Sequence, residues 1–177
     1  PETVELALRE WDEVFRALPR IDAVFVPGGD PGHTAPRYLM PMLEKQAAQL
    51  RQRHPGAELW VAPQGFSAEW MDEFFGILDA GPEWFTGLVF GPQVRVGLPE
   101  LRARTPQRYP IRRYPDITHS RHAQYPGPDW DLAYALTEGR EVINPRPVDH
   151  ANIYRLFDDY AAGFITYSEG VNDDVNK

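Results

Sequence analysis

The feature that most constrains the fold of this chain is the alternation of short apolar runs with segments of helical spacing. The apolar runs are rich in branched and aromatic residues, and most of them end at Gly or Pro. Runs of this kind are typical of strands that are buried on both faces and then halted by a turn. Five strands are therefore predicted, over residues 23–26, 59–62, 87–90, 110–114 and 163–167.

The segments between these runs place apolar residues three and four positions apart, with charges between them. This spacing predicts amphipathic helices. They fall near residues 4–18, 37–53, 68–78 and 149–160, with a brief segment around 98–104. Strands that alternate with helices imply parallel pairing through right-handed crossovers. The candidate folds are a doubly wound sheet and a (β/α)8 barrel.

The barrel is favoured because no glycine fingerprint for phosphate binding follows any strand, whereas each strand ends in a polar side chain. Five strands are too few to close such a barrel. The prediction is therefore an α/β chain in which residues 1–177 form a single domain, a fragment of a (β/α)8 TIM-type barrel that supplies its last five βα units.

Composition excludes several classes of function. A net charge of -8 and a pI near 5.1 disfavour nucleic acid as a partner, because phosphate binding needs clustered cations. The absence of Cys removes disulfides and thiolate chemistry. No apolar run has the length of a membrane span, so no membrane partner is predicted. The sequence does not indicate a cellular compartment. Secretion or periplasmic export is plausible if a longer parent protein carries a signal peptide.

Polar residues follow the predicted strands at their carboxyl ends. Loops after parallel strands leave one edge of the sheet, so these side chains should converge although they are far apart in sequence. They are Asp30, Gln64, Gln93, Asp116 and Glu169. Asp30 follows two glycines that let a substrate approach the backbone, but a plain turn with Asp30 as a helix cap is the alternative.

The loop after the fourth strand is rich in ionisable and aromatic residues. Histidine can act as an acid, a base, a metal ligand or a partner of sugar hydroxyls, and flat rings can stack on a pyranose. The substrate-binding candidates here are His119, Arg121, His122, Tyr125 and Trp130, and His33, Asn172 and Asp173 are added from the other two loops. Asn172 and Asp173 can alternatively cap the next helix.

Neither a metal nor another cofactor is predicted, because the histidine spacing matches no familiar zinc pattern. In the fourth strand, alternation sends Arg112 and Arg113 to opposite faces of the sheet, and one of them must be paired. That residue could hold Asp116 in place or bind an acidic group of a substrate. Trp60, Phe74, Phe90 and Phe164 are predicted to pack in the core.

Two segments resemble the C-terminal half of carbohydrate-active (β/α)8 barrels, the group that includes β-hexosaminidases and α-glucuronidases. Val26-Pro27-Gly28-Gly29-Asp30 is similar to the Gly-Gly-Asp at a strand end of hexosaminidases, and Tyr167-Ser168-Glu169-Gly170 ends the last strand. In hexosaminidases the general acid glutamate follows the Gly-Gly-Asp at once, and Pro31 occupies that position here. The resemblance implies a glycosidase without indicating a particular sugar.

Hydrolysis of a glycoside usually needs two carboxyl groups, one protonated and one ionised. The predicted pair is Asp30 and Glu169, with Asp116 as a substitute for either. The rival hypotheses are a metal-dependent barrel hydrolase or isomerase, which would use Asp30, Glu169, His119 and His122, and a barrel that binds carbohydrate without catalysis.

Overall fold

A computed structural model describes residues 2–29, 33–114 and 147–165 of the chain. The helices are α1 (Glu2–Ala17), α2 (Pro36–Arg53), α3 (Ala68–Asp79), α4 (Leu98–Arg104) and α5 (Pro147–Phe157), which continues into a 3-10 turn at Asp158–Tyr160. The strands are β1 (Ala23–Pro27), β2 (Glu58–Ala62), β3 (Gly87–Phe90) and β4 (Ile111–Arg113). Helices and strands alternate as the sequence predicts, so the α/β class is confirmed.

The four strands form one parallel sheet in the order β1-β2-β3-β4. Each strand therefore lies beside the strand that precedes it in the chain. Of the predicted fifth strand, residues 163–165 are described, and Phe164 makes a single parallel bridge to Arg113. Main-chain hydrogen bonds of 2.8 Å from Arg113 N to Gly163 O and of 2.9 Å from Ile165 N to Arg113 O support this bridge.

The main core lies on one face of the sheet. Leu59 and Val61 of β2, Leu88 and Phe90 of β3 and Ile111 of β4 point into it. Apolar residues of the three following helices cover this face, namely Leu39, Met40 and Leu43 of α2, Met71, Phe74 and Leu78 of α3, and Leu98 and Leu101 of α4. Helix α1 joins the same side through Phe15, which packs with Leu50 and Ala57. Helices α1 to α4 thus share one face.

The opposite face of the sheet carries a smaller cluster. Trp60, Ala62 and Val89 are buried there, and Phe25 and Tyr114 pack against them. Period-two alternation along each strand separates this set from the main core. The predicted burial of Trp60, Phe74 and Phe90 is confirmed.

Two packing expectations differ from the structure. Phe164 is 54% exposed and was expected in the core. In the described part of the chain it lies beyond β4 with a single bridge to it, and its ring rests edge-on against Tyr154, at 5.8 Å between centroids. The apolar stripe of α1 is also largely open, with Trp11, Val14 and Leu18 more than 40% exposed. In α1 only Phe15 is buried.

Helix α4 ends on a partly buried cation that binds backbone carbonyls. Arg102 donates to Tyr109 O at 2.8 Å, to Thr105 O at 2.7 Å and to Pro106 O at 3.0 Å. Burial lowers the pKa of Arg102 below its usual range. The guanidinium therefore holds the turn that leads from α4 into β4, because it binds three carbonyls of that turn.

Replacing Arg102 with methionine is expected to lower the free energy of unfolding by about 2–4 kcal/mol, because several carbonyls lose a charged donor. Arg104→Met on the same helix is the matched control. Arg104 is 38% exposed and pairs with Asp72 and Glu100 at the surface, so its loss should stay below about 1 kcal/mol. Urea denaturation measures both variants, and equal losses would contradict this role for Arg102.

Candidate functional site

The turns after β1, β2 and β3 are joined to one another by main-chain hydrogen bonds. Gly28 N donates to Ala62 O and Gly29 N donates to Gln64 O, both at 2.7 Å, and Gly65 N donates to Gln93 O at 3.1 Å. These bonds continue the pairing of the sheet beyond the ends of its strands. The carboxyl edge of the sheet is consequently an ordered rim, which we call the strand-end rim, formed by residues 28–29, 63–66 and 91–93.

The glycines of the first turn are required by this close approach. A Cβ at Gly28 would stand 2.4 Å from Ala62 O and 2.9 Å from the Phe66 ring, and one at Gly29 would stand 2.9 Å from Gln64 O. Both contacts with carbonyl oxygen are shorter than a side chain tolerates. The glycine pair therefore allows residues 28–29 to lie against the neighbouring turn, which is the physical reason for two glycines at these positions.

His33 closes the first turn. Its amide donates to Gly29 O at 2.7 Å, and its φ of 46° is in the left-handed region. The bond brackets residues 30–32, so the two ends of the segment with Asp30 are held together at the rim. The side chain of His33 is exposed. The structure thus places His33 at the same edge of the sheet as Gln64 and Gln93.

Gln64 and Gln93 lie in the second and third turns of the rim. Gln64 is half-buried, while Gln93 is exposed and has a φ of 61°. A left-handed conformation is uncommon outside glycine and costs backbone energy, and it recurs at functional sites. Its carbonyl accepts the bond from Gly65, which helps to hold Gln93 in this conformation.

All ten of the remaining predicted site residues lie outside the described residues. They are Asp30, Asp116, His119, Arg121, His122, Tyr125, Trp130, Glu169, Asn172 and Asp173. The described chain reaches Gly29 and His33 on either side of Asp30, and it ends at Tyr114 and Ile165 before the other two loops. The roles assigned to these ten residues stay predictions.

An aromatic and cationic cluster on the smaller face was not singled out by sequence reasoning. The rings of Phe25 and Trp60 stack at 6.1 Å with an angle of 22°. The Arg112 guanidinium lies 4.4 Å from the Trp60 ring centroid, and it approaches Glu58 at 3.8 Å. Trp60 Nε1 donates to the same Glu58 carboxylate at 2.8 Å. Alternation along β1, β2 and β4 places all four residues on one face, and this was the available signal.

Tyr114 extends the aromatic cluster of the smaller face to the strand-end rim. Its amide donates to Phe90 O at 2.7 Å, and its ring packs on the Trp60, Ala62 and Val89 cluster. A Cβ at Gly91 would stand 2.7 Å from Cδ1 of that ring, so glycine makes room for it. Sequence reasoning placed Tyr114 at a strand end without a role. In the structure it is an aromatic wall directly below the turn that contains Gln93.

The prediction that Arg112 and Arg113 point to opposite faces is confirmed. Arg112 lies on the smaller face with Trp60, while Arg113 is buried on the helix-covered face against Tyr154 and Phe157. The acidic residue near Arg112 in the described chain is Glu58. The predicted partner, Asp116, lies outside the described residues.

Among residues 2–29, 33–114 and 147–165, no group of three or more His, Asp or Glu side chains is arranged to hold a metal ion. None of the helices described is both long and apolar enough to cross a membrane.

The arrangement offers a rigid polar rim above an aromatic face, with amide and imidazole groups from three consecutive turns. Compared with protein families, curated proteins and solved structures, the chain has no significant match in any of the three.

Proposed function

We propose that this chain is a glycoside hydrolase in which the sheet forms one arc of a (β/α)8 barrel. The observation that carries the proposal is the parallel sheet in sequential order, with α1 to α4 on a single face. In such an arc every loop that follows a strand leaves from the same edge. That edge is the strand-end rim, where Gln64, Gln93 and His33 lie.

The sheet order supports a barrel over a doubly wound fold. A doubly wound sheet reverses its strand order at a switch point and carries helices on both faces. The described strands have no reversal, and Phe164 continues the order beside β4. The outer edge of β1 and the open apolar stripe of α1 offer a place where a further parallel strand would pair, as closure of a barrel requires.

The proposed chemistry assigns the two carboxyl groups to the loops that follow β1 and the Phe164 bridge. One carboxylic acid gives its proton to the oxygen of the departing alcohol, and the other group acts as a carboxylate. If that carboxylate attacks the anomeric carbon, water later cleaves the glycosyl ester and configuration is retained; if it activates water directly, configuration inverts. Asp30 and Glu169 are the proposed pair, with Asp116 as the reserve.

The described rim residues would orient the sugar. Neutral amides and imidazole bind hydroxyl groups by hydrogen bonds without placing a charge on an uncharged substrate. Gln64 and Gln93 are suited to this role because main-chain bonds hold their turns, and a site on fixed supports keeps its geometry better than one on free loops. The aromatic residues Tyr125 and Trp130 of the long loop would stack on the ring of the sugar.

The test is a panel of 4-nitrophenyl glycosides that covers α and β hexosides, pentosides, hexosaminides and uronides. Release of nitrophenolate from at least one member is expected, and excess EDTA should leave the rate unchanged because the two carboxyl groups need no metal. No turnover of any glycoside by a protein that circular dichroism shows to be folded would contradict the proposal. Activity that is lost with EDTA and restored by a divalent ion would favour the metal-dependent hydrolase instead.

A further inference from the structure

Arg113 is a buried cation on the helix-covered face of the sheet. The residue is 4% exposed, and its Cζ lies 5.8 Å from the Tyr154 ring centroid and 5.7 Å from that of Phe157. Within the described part of the chain, the side chain forms no ion pair with a carboxylate and donates no hydrogen bond to an oxygen acceptor. Two rings of α5 are its only side-chain partners there.

Two other partly buried guanidinium groups of the described chain donate to backbone oxygen, although Nε of Arg102 has no partner. Arg102 binds three carbonyls at 2.7–3.0 Å, and Arg51 donates to Ala57 O at 3.1 Å and to Trp84 O at 2.8 Å. Arg113 is more deeply buried than a surface cation such as Arg104 and has none of these acceptors. The contrast leaves Arg113 as a buried cation without an oxygen acceptor among the described residues.

A buried charge is costly unless it is paired and hydrogen-bonded. Two aromatic faces offset only part of that cost, since both centroid distances are close to the outer limit of a cation–π contact. The rings also offer no oxygen to the N–H donors of the guanidinium. The planar fork of these donors matches the two oxygens of a carboxylate or phosphate. We propose that Arg113 binds an oxyanion, a carboxylate or a phosphate group, between β4 and α5.

The surroundings hold the guanidinium in position for such a ligand. The backbone of Arg113 is bonded on both sides of the residue to Gly163 and Ile165, so the strand cannot shift easily. A hydrogen bond with Asp158 is the main cause that raises the pKa of Tyr154. The Tyr154 phenol therefore stays neutral and is engaged with Asp158, and its ring forms an uncharged wall beside Arg113.

This oxyanion site is separate from the strand-end rim and from the cluster around Trp60, because Arg113 and Arg112 lie on opposite faces of β4. The inference does not depend on glycoside hydrolysis. If the chain does not hydrolyse glycosides, the proposed oxyanion site at Arg113 still stands, and the reverse also holds.

The test is the thermal midpoint of the full chain in increasing inorganic phosphate, at constant ionic strength. A ligand that binds only the folded state raises the midpoint, and at saturating phosphate we expect a rise of about 3 °C or more. Arg113→Gln should abolish the rise, and Arg113→Lys, which keeps the charge without the fork, should reduce it. The matched control Arg104→Gln, at an exposed cation, should keep it in full.

A second set of variants distinguishes a free anion from a carboxylate of the chain itself as the ligand of Arg113. If phosphate has no effect that depends on Arg113, a carboxylate of the chain itself is expected to fill the site. Arg113→Gln combined with Asp116→Asn, or with Glu169→Gln, should then lose less in thermal midpoint than the sum of the single losses. If phosphate has no such effect and the losses add within error for both pairs, the proposal is wrong. Should Arg113→Gln not fold, Arg113→Lys replaces it in both arms.

Discussion

Glu169→Gln is expected to lower kcat on the best aryl glycoside of the panel by about 10²–10⁴, which is the usual contribution of one positioned acid or base. The amide has nearly the shape of the carboxyl group, but it can neither give a proton to the leaving oxygen nor attack the anomeric carbon. KM should change little, because the aglycone and the hydroxyl contacts remain. Steady-state release of nitrophenolate measures both constants.

The matched control is Glu100→Gln, which makes the same chemical change on α4. Glu100 is 55% exposed on its side chain and lies 3.7 Å from Arg104, so its loss should leave kcat within about twofold. Asp30→Asn is expected to resemble Glu169→Gln. If Glu169→Gln keeps the wild-type kcat while Asp30→Asn and Asp116→Asn lose theirs, the pair is Asp30 and Asp116. Full activity in all three would contradict carboxylate catalysis at the strand-end rim.

Azide separates the two carboxylate roles. Nitrophenolate leaves without help from an acid, so azide can restore turnover both in a variant that lacks the nucleophile and in one that lacks the acid. If the enzyme retains configuration, azide in the variant that lacks the nucleophile attacks the anomeric carbon of the glycoside, displaces nitrophenolate and gives a glycosyl azide of inverted configuration. In the variant that lacks the acid, azide attacks the glycosyl ester in place of water, displaces the enzyme carboxylate and gives a glycosyl azide of retained configuration. The configuration of the glycosyl azide that each variant forms therefore assigns the two roles.

The strands of the sheet were predictable because each one has a local stop signal. Pro27-Gly28, Pro63 and Gly91-Pro92 end β1, β2 and β3 within a residue or two of the predicted bounds. β4 is shorter than its prediction, Ile111–Arg113 against residues 110–114, because a proline at its start lacks the N–H that a ladder needs. Helix α4 matches residues 98–104, and helical spacing placed α2 and α3 within about one residue.

The packing of the elements against one another could not be predicted, because it depends on contacts between residues that are distant in sequence. The period of α1 predicts a helix, but it does not specify which neighbour covers the apolar stripe, and Trp11 and Leu18 remain exposed. Phe164 has the residue type of a core position and lies at the outer side of β4. The bonds from Gly29 to Gln64 and from Gly65 to Gln93 join turns some 30 residues apart, and these long-range pairings make the rim rigid.

The sequence predicted the edge of the sheet at which the candidate site lies, but not the geometry of the residues there. Parallel strands require their following loops to meet, and His33, Gln64 and Gln93 do lie at one edge. The left-handed conformation of Gln93 could not be predicted, since glutamine has no preference for it. Either Arg112 or Arg113 was expected to face the helices, and the packing of Arg113 against Tyr154 and Phe157 shows which one does.

Gly87→Ala is expected to destabilise the fold by about 3 kcal/mol, at the upper end for an added methyl group in a packed interior. A Cβ at Gly87 would stand 2.5 Å from Pro110 O and 2.5 Å from Cζ3 of Trp60. The carbonyl belongs to the backbone that leads into β4, and Leu88 N bonds to it at 2.9 Å, so it cannot withdraw without loosening the β3–β4 pair. The indole in turn is held by Glu58 and covered by Arg112.

Gly76→Ala makes the same substitution inside α3 and serves as the control, because its expected change in stability has the opposite sign. A Cβ there meets nothing within 4 Å, and alanine is favoured over glycine in a helix by about 1 kcal/mol. Thermal and urea unfolding should therefore give a lower midpoint for Gly87→Ala and a higher one for Gly76→Ala. Were Gly87→Ala as stable as wild type, the Trp60 ring would not rest on β3, and the aromatic face below the rim would lose its support. The stability of one buried glycine thus tests the packing on which the proposed sugar site is built.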